Sequence, residues 1–166
     1  MCGPYATKPS AVDKNNTQAL RNCLGKFATG VTVVTCDGAD GPCGITANSF
    51  SSVSLEPPLV LWNVDKRSTA LQAFLEAQRF AINVLRNDQK SLAVHFARPE
   101  RISFEGIDYR LNGSNVPLLE TSLACMECRT DRIIEAGDHY IIIGEIENYV
   151  TNDGEPLLFF AGDYRG

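Results

Sequence analysis

Apolar residues in this chain fall into short runs separated by glycine, proline and small polar residues. Several runs are rich in β-branched residues, which favour strands; VTVVTC at 31–36 and FAINVL at 80–85 are examples. Polar joints such as DGADGP at 37–42 and GDH at 137–139 indicate tight turns between neighbouring strands. The predicted strands span residues 31–36, 43–48, 59–64, 80–85, 123–135, 140–151 and 157–161.

Three short helices are predicted between these strands. Leu20, Cys23, Leu24 and Phe27 follow the candidate N-cap Thr17 at helical spacing and give the first helix one apolar face. The second and third helices are predicted over 69–78 and 89–97, opened by Ser68 and Asp88. The polar residues 1–16 are predicted to form a flexible arm that precedes one domain over 17–166.

The order of elements favours an antiparallel sheet. Most strands follow one another through turns rather than through helices, so a Rossmann domain with repeated βαβ units is disfavoured. The sheet is expected to close into a small barrel, because closure removes exposed edges. The irregular segment 99–121 is long for a simple connection and is expected to act as a lid or a subunit contact.

Composition mainly excludes function classes. The 166 residues include 15 Lys and Arg against 20 Asp and Glu, which gives a net charge of −5 and a pI near 5.0. A general basic surface for nucleic acid or an anionic membrane is therefore excluded, and no apolar run approaches the ~20 residues of a membrane span. Because the first residues lack the apolar core of a secretory signal, we expect a cytoplasmic protein with reduced cysteines.

Cysteine and histidine positions do not indicate a metal site. Cys125 and Cys128 form a C-x-x-C, but no second pair follows at the spacing of a zinc knuckle. Residues i and i+3 of a strand face opposite sides, so both cysteines are predicted to pack in the interior. Only two histidines exist, His95 and His139, which excludes a three-histidine site.

Two polar segments flank the predicted strand 59–64. GITANSFSSVS at 44–54 places hydroxyl and amide side chains after a strand, where they could surround a phosphate or a heteroaromatic ring, or form a surface turn. KRST at 66–69 places cations and hydroxyls where a helix begins, which suits either an anion or ordinary capping. The two segments together predict a shared phosphate pocket.

Three further positions are ambiguous from the residues alone. His139, at a strand entry, is either a turn residue or a catalytic one, and His95 beside Phe96 indicates helix packing, with a ligand wall at Phe96 as the alternative. The final GDYRG at 162–166 is either a frayed tail or a strand end that folds over a site.

Five of these segments, in this order and at this spacing, resemble the short-chain flavin reductases, the reductase components of two-component flavin-dependent monooxygenases. The resemblance runs from about residue 17 to the end of the chain. It implies a mainly β, antiparallel split barrel with the FMN-binding fold of flavin reductases, a homodimer, and FMN or FAD bound without a Rossmann domain. The matching segments are FATGVTVVT at 27–35, GITANSFSSVSLEPP at 44–58, FAINVL at 80–85, GDH at 137–139, and PLLFF with GDY between 156 and 164.

The resemblance also implies which residues form the site. The segment after the first hairpin matches the flavin loop, with Thr46 and Ala47 along the polar edge of the ring. The residues implied to contact flavin are Thr46, Ala47, Asn48, Ser49, Phe50, Ser51, Ser52, Asn63, Lys66, Ser68, Thr69, Phe96 and Ala97. Those implied to contact NAD(P)H are His139, which positions nicotinamide, and Gly162, Asp163, Tyr164 and Arg165.

The implied activity is hydride transfer from NAD(P)H to the flavin, which then leaves for a partner oxygenase. A flavin-binding module or electron carrier without a nicotinamide site is the first alternative, and His139 and Tyr164 argue against it. A pyridoxamine-phosphate-oxidase-like enzyme is the second, with Lys66, Arg67, Arg98 and Arg101 as its only candidate phosphate cluster. FMN against FAD and NADH against NADPH stay open, with Arg165 or Arg132 as candidate partners for a 2′-phosphate.

Overall fold

The computed structural model describes residues 11–13, 15–98 and 104–166. The predicted arm over 1–16 lies mostly outside these residues, and Arg101 lies outside them. Three helices are described: α1 Gln18–Leu24, α2 Leu71–Glu76 and α3 Lys90–Phe96, the last preceded by a 3-10 turn at Asn87–Gln89. None of them has the length and apolarity that a bilayer crossing requires.

Twelve strands are described, several of them only two or three residues long. The first six are β1 Thr29–Gly30, β2 Thr32–Gly38, β3 Gly41–Ala47, β4 Ser51–Leu55, β5 Pro58–Asp65 and β6 Arg79–Val84. The second six are β7 Arg110–Leu111, β8 Pro117–Leu118, β9 Ala124–Ala136, β10 His139–Thr151, β11 Leu158–Phe160 and β12 Asp163–Arg165. All seven predicted strand regions are present, so the mainly β prediction is confirmed.

The central sheet has seven strands in the order β3-β2-β6-β9-β10-β5-β4, and every neighbouring pair is antiparallel. β3 and β4 lie at opposite ends of this order, yet only residues 48–50 join them. Four Cα steps span at most ~14 Å, so the sheet must curl until its two edges approach each other. The predicted closed barrel is therefore wrong in one respect: the sheet stays open at the β3/β4 seam, which is the split barrel that the resemblance implied.

The described residues form two large apolar clusters and one small one. The larger lies inside the curled sheet around Trp62, Phe74 and Phe80. The second lies under α3 and includes Phe96, Phe104 and Leu157. Trp62 meets Phe74 edge-on with ring centroids 4.8 Å apart, so α2 is held against β5 by aromatic packing.

The predicted apolar face of the first helix does not reach this core. No residue of α1 is buried, and Leu24 and the following Phe27 are largely exposed. Thr17 is the N-cap residue of α1, as predicted, but its side chain makes no capping hydrogen bond. α2 begins at Leu71, two residues later than expected, and the Ser68 hydroxyl instead accepts the N–H of Ala70 in the turn before it.

Cys125 and Cys128 pack as predicted. Cys125 lies in a small cluster with Val116 and Leu118, and Cys128 lies in the larger core inside the sheet. Both are buried free thiols, and burial raises the pKa of each to about 12. They therefore belong to different parts of the interior and serve as small apolar residues.

Candidate active-site cleft

Three adjoining cavities of about 420, 480 and 160 Å³ form one cleft beside β3. The first two share Ile45 and Asp65, and the second and third share Thr46 and Asn48. Most of the site residues that the resemblance implied line this cleft. They are Thr46, Ala47, Asn48, Ser49, Asn63, Ser68, Thr69, Phe96, Ala97, His139 and Tyr164.

Four implied flavin residues lie beside the cleft without lining it. Phe50 packs against the core inside the sheet, and Ser51 and Ser52 belong to the exposed edge strand β4. Lys66 turns away to pair with Glu135, its Nζ 2.5 Å from the carboxylate and 5.4 Å from the Tyr140 ring centre. The side chain of Lys66 is thus engaged elsewhere.

β3 contributes both backbone and side chains to the cleft. It is an edge strand, so one row of its backbone N–H and C=O groups is left unpaired by the sheet. The Thr46 hydroxyl donates to the Ala93 carbonyl at 2.7 Å and thereby ties α3 to the strand. Gly44 allows the same packing, since a Cβ there would lie 2.8 Å from Cε1 of Phe96. The absence of a side chain at Gly44 therefore sets where Phe96 forms the cleft wall.

Ser49 and Asn63 present an unused hydrogen-bond acceptor in the cleft. The Ser49 hydroxyl accepts the Asn63 N–H at 2.9 Å and donates to the Asn63 carbonyl at 3.4 Å. This fixes the backbone of Asn63, while its side-chain oxygen Oδ1 is buried without a hydrogen-bond partner among the described residues. A buried acceptor is costly to leave unpaired, so this atom fits a ligand that brings an N–H or O–H donor, as flavin does.

Charged side chains also line the cleft, at Asp65, Arg67 and Arg98. Arg67 Nη2 lies 2.8 Å from Asp65 Oδ2, and the hydrogen bonds from Arg67 hold the pKa of Asp65 well below its usual range. Arg67 and Arg98 line the first cavity together with Ser68 and Thr69. This arrangement of cations and hydroxyls suits a phosphate group.

His139 stands at the start of β10, opposite Asp65 of β5 in the register. Its Nδ1 lies 2.7 Å from Asp138 Oδ1, and this hydrogen bond lowers the pKa of Asp138. An ionised Asp138 can only accept, so Nδ1 carries the proton and Nε2 of a neutral ring is left as an acceptor. This hydrogen bond favours the tautomer of His139 that carries its proton on Nδ1.

The C-terminal residues fold back as β12 instead of fraying. Tyr164 packs edge-on against Phe159, with ring centroids 5.2 Å apart, and both line the third cavity. Partial burial raises the pKa of Tyr164. Asp163 and Arg165 do not line the three cavities: Asp163 Oδ1 lies 4.0 Å from Lys90 Nζ, and Arg165 is the register partner of Leu158.

Gly162 lines a separate cavity of about 600 Å³ that sequence analysis missed. Arg21 and Lys26 also line this cavity, and Phe159 lies between it and the third cavity of the cleft, lining both. The N–H of Ala161 donates to the Gly25 carbonyl at 2.9 Å, which brings the end of α1 to the β11/β12 turn. This long-range contact has no local sequence signal.

Other cleft residues were also missed. Asp65 lies two residues from Asn63, on the same face of β5, so the period of a strand would have indicated it. Ile45 and Ile141 looked like ordinary core residues. Among the described residues, no group of three potential metal ligands lies together.

Comparison with known proteins agrees with this geometry. A family model described as "Flavin reductase like domain" matches residues 24–166. The chain is 48% identical over 149 residues to the FMN reductase (NADH) SmoA of Agrobacterium fabrum, covering 90% of this chain and 85% of that protein. It is 39% identical over 152 residues to HsaB, the reductase subunit of a flavin-dependent monooxygenase of Mycobacterium tuberculosis, covering 90% and 81%.

A solved structure of a related enzyme has the same fold. The NADH:FAD oxidoreductase SgcE6 of Streptomyces globisporus C-1027, in complex with NAD and FAD fragments, superposes with a TM-score of 0.88 at 40% identity, over 95% of this chain and 96% of that one. Some relatives are longer, and the chain spans 48% of a probable flavin reductase to which it is 46% identical. The family model covers most of the chain, and it follows that the chain belongs to the flavin reductase-like family.

Proposed function

We propose that this protein is an NAD(P)H:flavin oxidoreductase that reduces FMN or FAD and releases the product to a separate monooxygenase. The observation that carries the proposal is the cleft itself, which joins the free edge of β3, the unpaired Oδ1 of Asn63 and the rim histidine His139. Bound flavin would supply the redox chemistry by accepting a hydride from the dihydronicotinamide. HsaB, a reductase subunit by name, supports the separate oxygenase.

The chain's own residues would bind and orient the two nucleotides. Unpaired N–H groups of β3 and residues 48–49 would stabilise negative charge on the flavin ring, and Asn63 Oδ1 would accept a donor from it. Ser68 and Thr69, with Arg67 and Arg98 beside them, would hold the phosphate end. His139, held by Asp138, and Tyr164 would position the nicotinamide, so that the reacting atoms lie ~3–3.5 Å apart.

Stopped-flow mixing tests this function directly. The protein is preloaded with FMN or with FAD and mixed anaerobically with NADH or NADPH, while the flavin absorbance band is followed. We expect rapid bleaching with at least one of the four combinations. Tight flavin binding without bleaching in any combination would instead identify an electron carrier, and no flavin binding at all would overturn both readings.

The Arg21 and Lys26 cavity is proposed to hold the phosphate-bearing end of NAD(P)H, since Gly162 lines it too. Neither Arg132 nor Arg165, the two candidates from the sequence, lines this cavity. Arg21→Ala with Lys26→Ala should raise KM for NAD(P)H about tenfold, the loss of one or two charge-assisted contacts. N-benzyl-dihydronicotinamide, which lacks phosphates, should be oxidised as fast as by the unmodified protein. Equal losses with both donors would contradict the assignment.

A homodimer is proposed from exposed apolar side chains. Leu55 is 89% exposed on the edge strand β4, and Phe27 and Tyr149 are 77% and 76% exposed. An edge strand with apolar side chains is normally covered, because it otherwise promotes aggregation. Light scattering should give twice the mass of one chain, and Leu55→Lys should lower the measured mass toward that of one chain.

We place the protein in the cytoplasm, because its described cysteines are free thiols.

A further inference from the structure

Two cysteines of the β2/β3 hairpin face each other across the sheet. Cys36 and Cys43 are direct partners in the register, and both are buried, at 0% and 4% exposure. Both are free thiols and both belong to the core cluster inside the sheet. The proposed function uses neither of them.

The register places their side chains within bonding range. Directly opposed residues of an antiparallel pair have Cα atoms about 4.5–5.5 Å apart and side chains on the same face. Disulfides join cysteines whose Cα atoms are about 4.4–6.8 Å apart. The hairpin is closed by a two-residue turn after the Gly38/Gly41 pair, which holds this register. A bond between the two sulfurs therefore needs no separation of the strands.

Cys43 is the member of the pair that small molecules can approach. It lines a cavity of about 310 Å³ between the hairpin turn and α2, together with Gln72 and Glu76. Cys36 does not line this cavity. The hydrogen bond between the thiols raises the pKa of Cys36 and lowers the pKa of Cys43. The first attack on a small oxidant is therefore assigned to Cys43, the sulfur whose residue lines the cavity.

The C-x-x-C pair provides an internal contrast. Cys125 and Cys128 are closer in sequence, but they lie in different apolar clusters, and burial raises the pKa of both thiols. Neither is a register partner of the other, since they lie on the same strand, β9. Proximity in sequence would therefore select Cys125 and Cys128 as the disulfide-forming pair, whereas proximity in the fold selects Cys36 and Cys43.

We propose that Cys36 and Cys43 form a peroxide-reactive dithiol that closes to a reversible disulfide. Cys43 would attack hydrogen peroxide, breaking the O–O bond, giving a sulfenic acid and releasing one water molecule. The Cys36 thiol would then attack that sulfur and displace the second water molecule, so two thiols are oxidised and one peroxide is reduced to two waters. Peroxide forms wherever reduced flavins meet dioxygen, but the proposal needs only peroxide and is independent of the proposed function.

Differential alkylation of the full chain tests the proposal. A Cys2→Ser, Cys23→Ser background removes the two cysteines outside the buried pairs. After peroxide treatment, free thiols are blocked with iodoacetamide in denaturant, disulfides are reduced, and the new thiols are labelled with N-ethylmaleimide. Trypsin places Cys36 and Cys43 in the peptide 27–66, and Cys125 with Cys128 in the peptide 111–129. Each pair is therefore read from a single peptide.

We expect two N-ethylmaleimide groups on peptide 27–66 and none on peptide 111–129, with the first signal abolished when dithiothreitol precedes blocking. Cys36→Ala should leave Cys43 as a sulfenic acid that dimedone captures, and Cys125→Ala should change nothing. The proposal is overturned if peptide 27–66 stays fully blocked by iodoacetamide, or if both peptides are labelled equally. Irreversible oxidation of Cys43 beside a free Cys36 would overturn it as well. The peptide readout needs neither alanine variant to fold.

Discussion

Gly44→Ala tests whether the position of the cleft wall is set by the missing side chain at residue 44. The new Cβ would lie 2.8 and 2.9 Å from Cε1 and Cδ1 of Phe96, and 3.3 Å from Cε2 of Phe104. Both rings are buried, and Phe96 also lies 5.0 Å from Phe104 and 4.8 Å from His95, measured between ring centroids. The ring therefore cannot rotate away from the new methyl group without disturbing its neighbours.

The expected cost of such overpacking is about 1–3 kcal/mol of unfolding free energy. For a protein of this size in urea, that corresponds to a midpoint lower by about 1 M. Trp62 is the only tryptophan and is fully buried, so its fluorescence reports unfolding. Because Phe96 lines the first cavity, KM for flavin should rise in the same variant.

Gly30→Ala is the matched control. Gly30 lies in β1, and a Cβ there would meet nothing within 4 Å. Its midpoint should stay unchanged or rise slightly, since alanine reduces the freedom of the unfolded chain. A Gly44→Ala variant with the same urea midpoint and the same KM for flavin as the Gly30→Ala control would refute the packing argument.

Three further variants probe the cleft. His139→Ala should raise KM for NAD(P)H while flavin affinity stays unchanged, and an unaltered KM in steady-state assays would contradict the positioning role. Asn63→Ala should weaken flavin binding, measured by fluorescence titration, without lowering the urea midpoint, because Oδ1 of Asn63 has no partner among the described residues. The hydrogen bonds from Arg67 hold the pKa of Asp65 below its usual 3.8, so the ion pair stabilises the fold fully above pH 3.8 and less as the pH falls further. In Asp65→Asn the free energy of unfolding should therefore depend less on pH below 3.8, as measured by acid unfolding followed by circular dichroism.

Local patterns predicted the strands well, because each is specified by its own residues. The β2/β3 hairpin shows this: β-branched residues and a glycine-rich turn determine strand, turn and register together. At α1 the pattern predicted the helix and its apolar face but not the surroundings of that face, since no residue of α1 is buried. Helical spacing shows that a face is apolar, but the partner that covers it is set by the whole assembly.

The candidate site shows the same division. Residues 46–49 could be predicted from the sequence because they belong to one contiguous polar segment after a strand, whereas Asn63 was implied only by the family resemblance. Arg21 and Lys26 could not, because only the Ala161–Gly25 hydrogen bond brings them near the chain terminus. Lys66 carried a plausible sequence signal, yet Glu135, distant in sequence, engages its side chain.

The open seam between β3 and β4 has a consequence for how ligand and fold influence each other. A nucleotide seated against the β3 edge and Asn63 of β5 would brace two ends of the sheet that no ladder of main-chain bonds joins. Binding would then raise the free energy of unfolding, by about 2.7 kcal/mol when the free nucleotide concentration is a hundred times Kd, and would raise the melting temperature with it. A reductase that must release its flavin binds it weakly. The flavin-free form present between turnovers would therefore unfold at a lower temperature than the flavin-bound form.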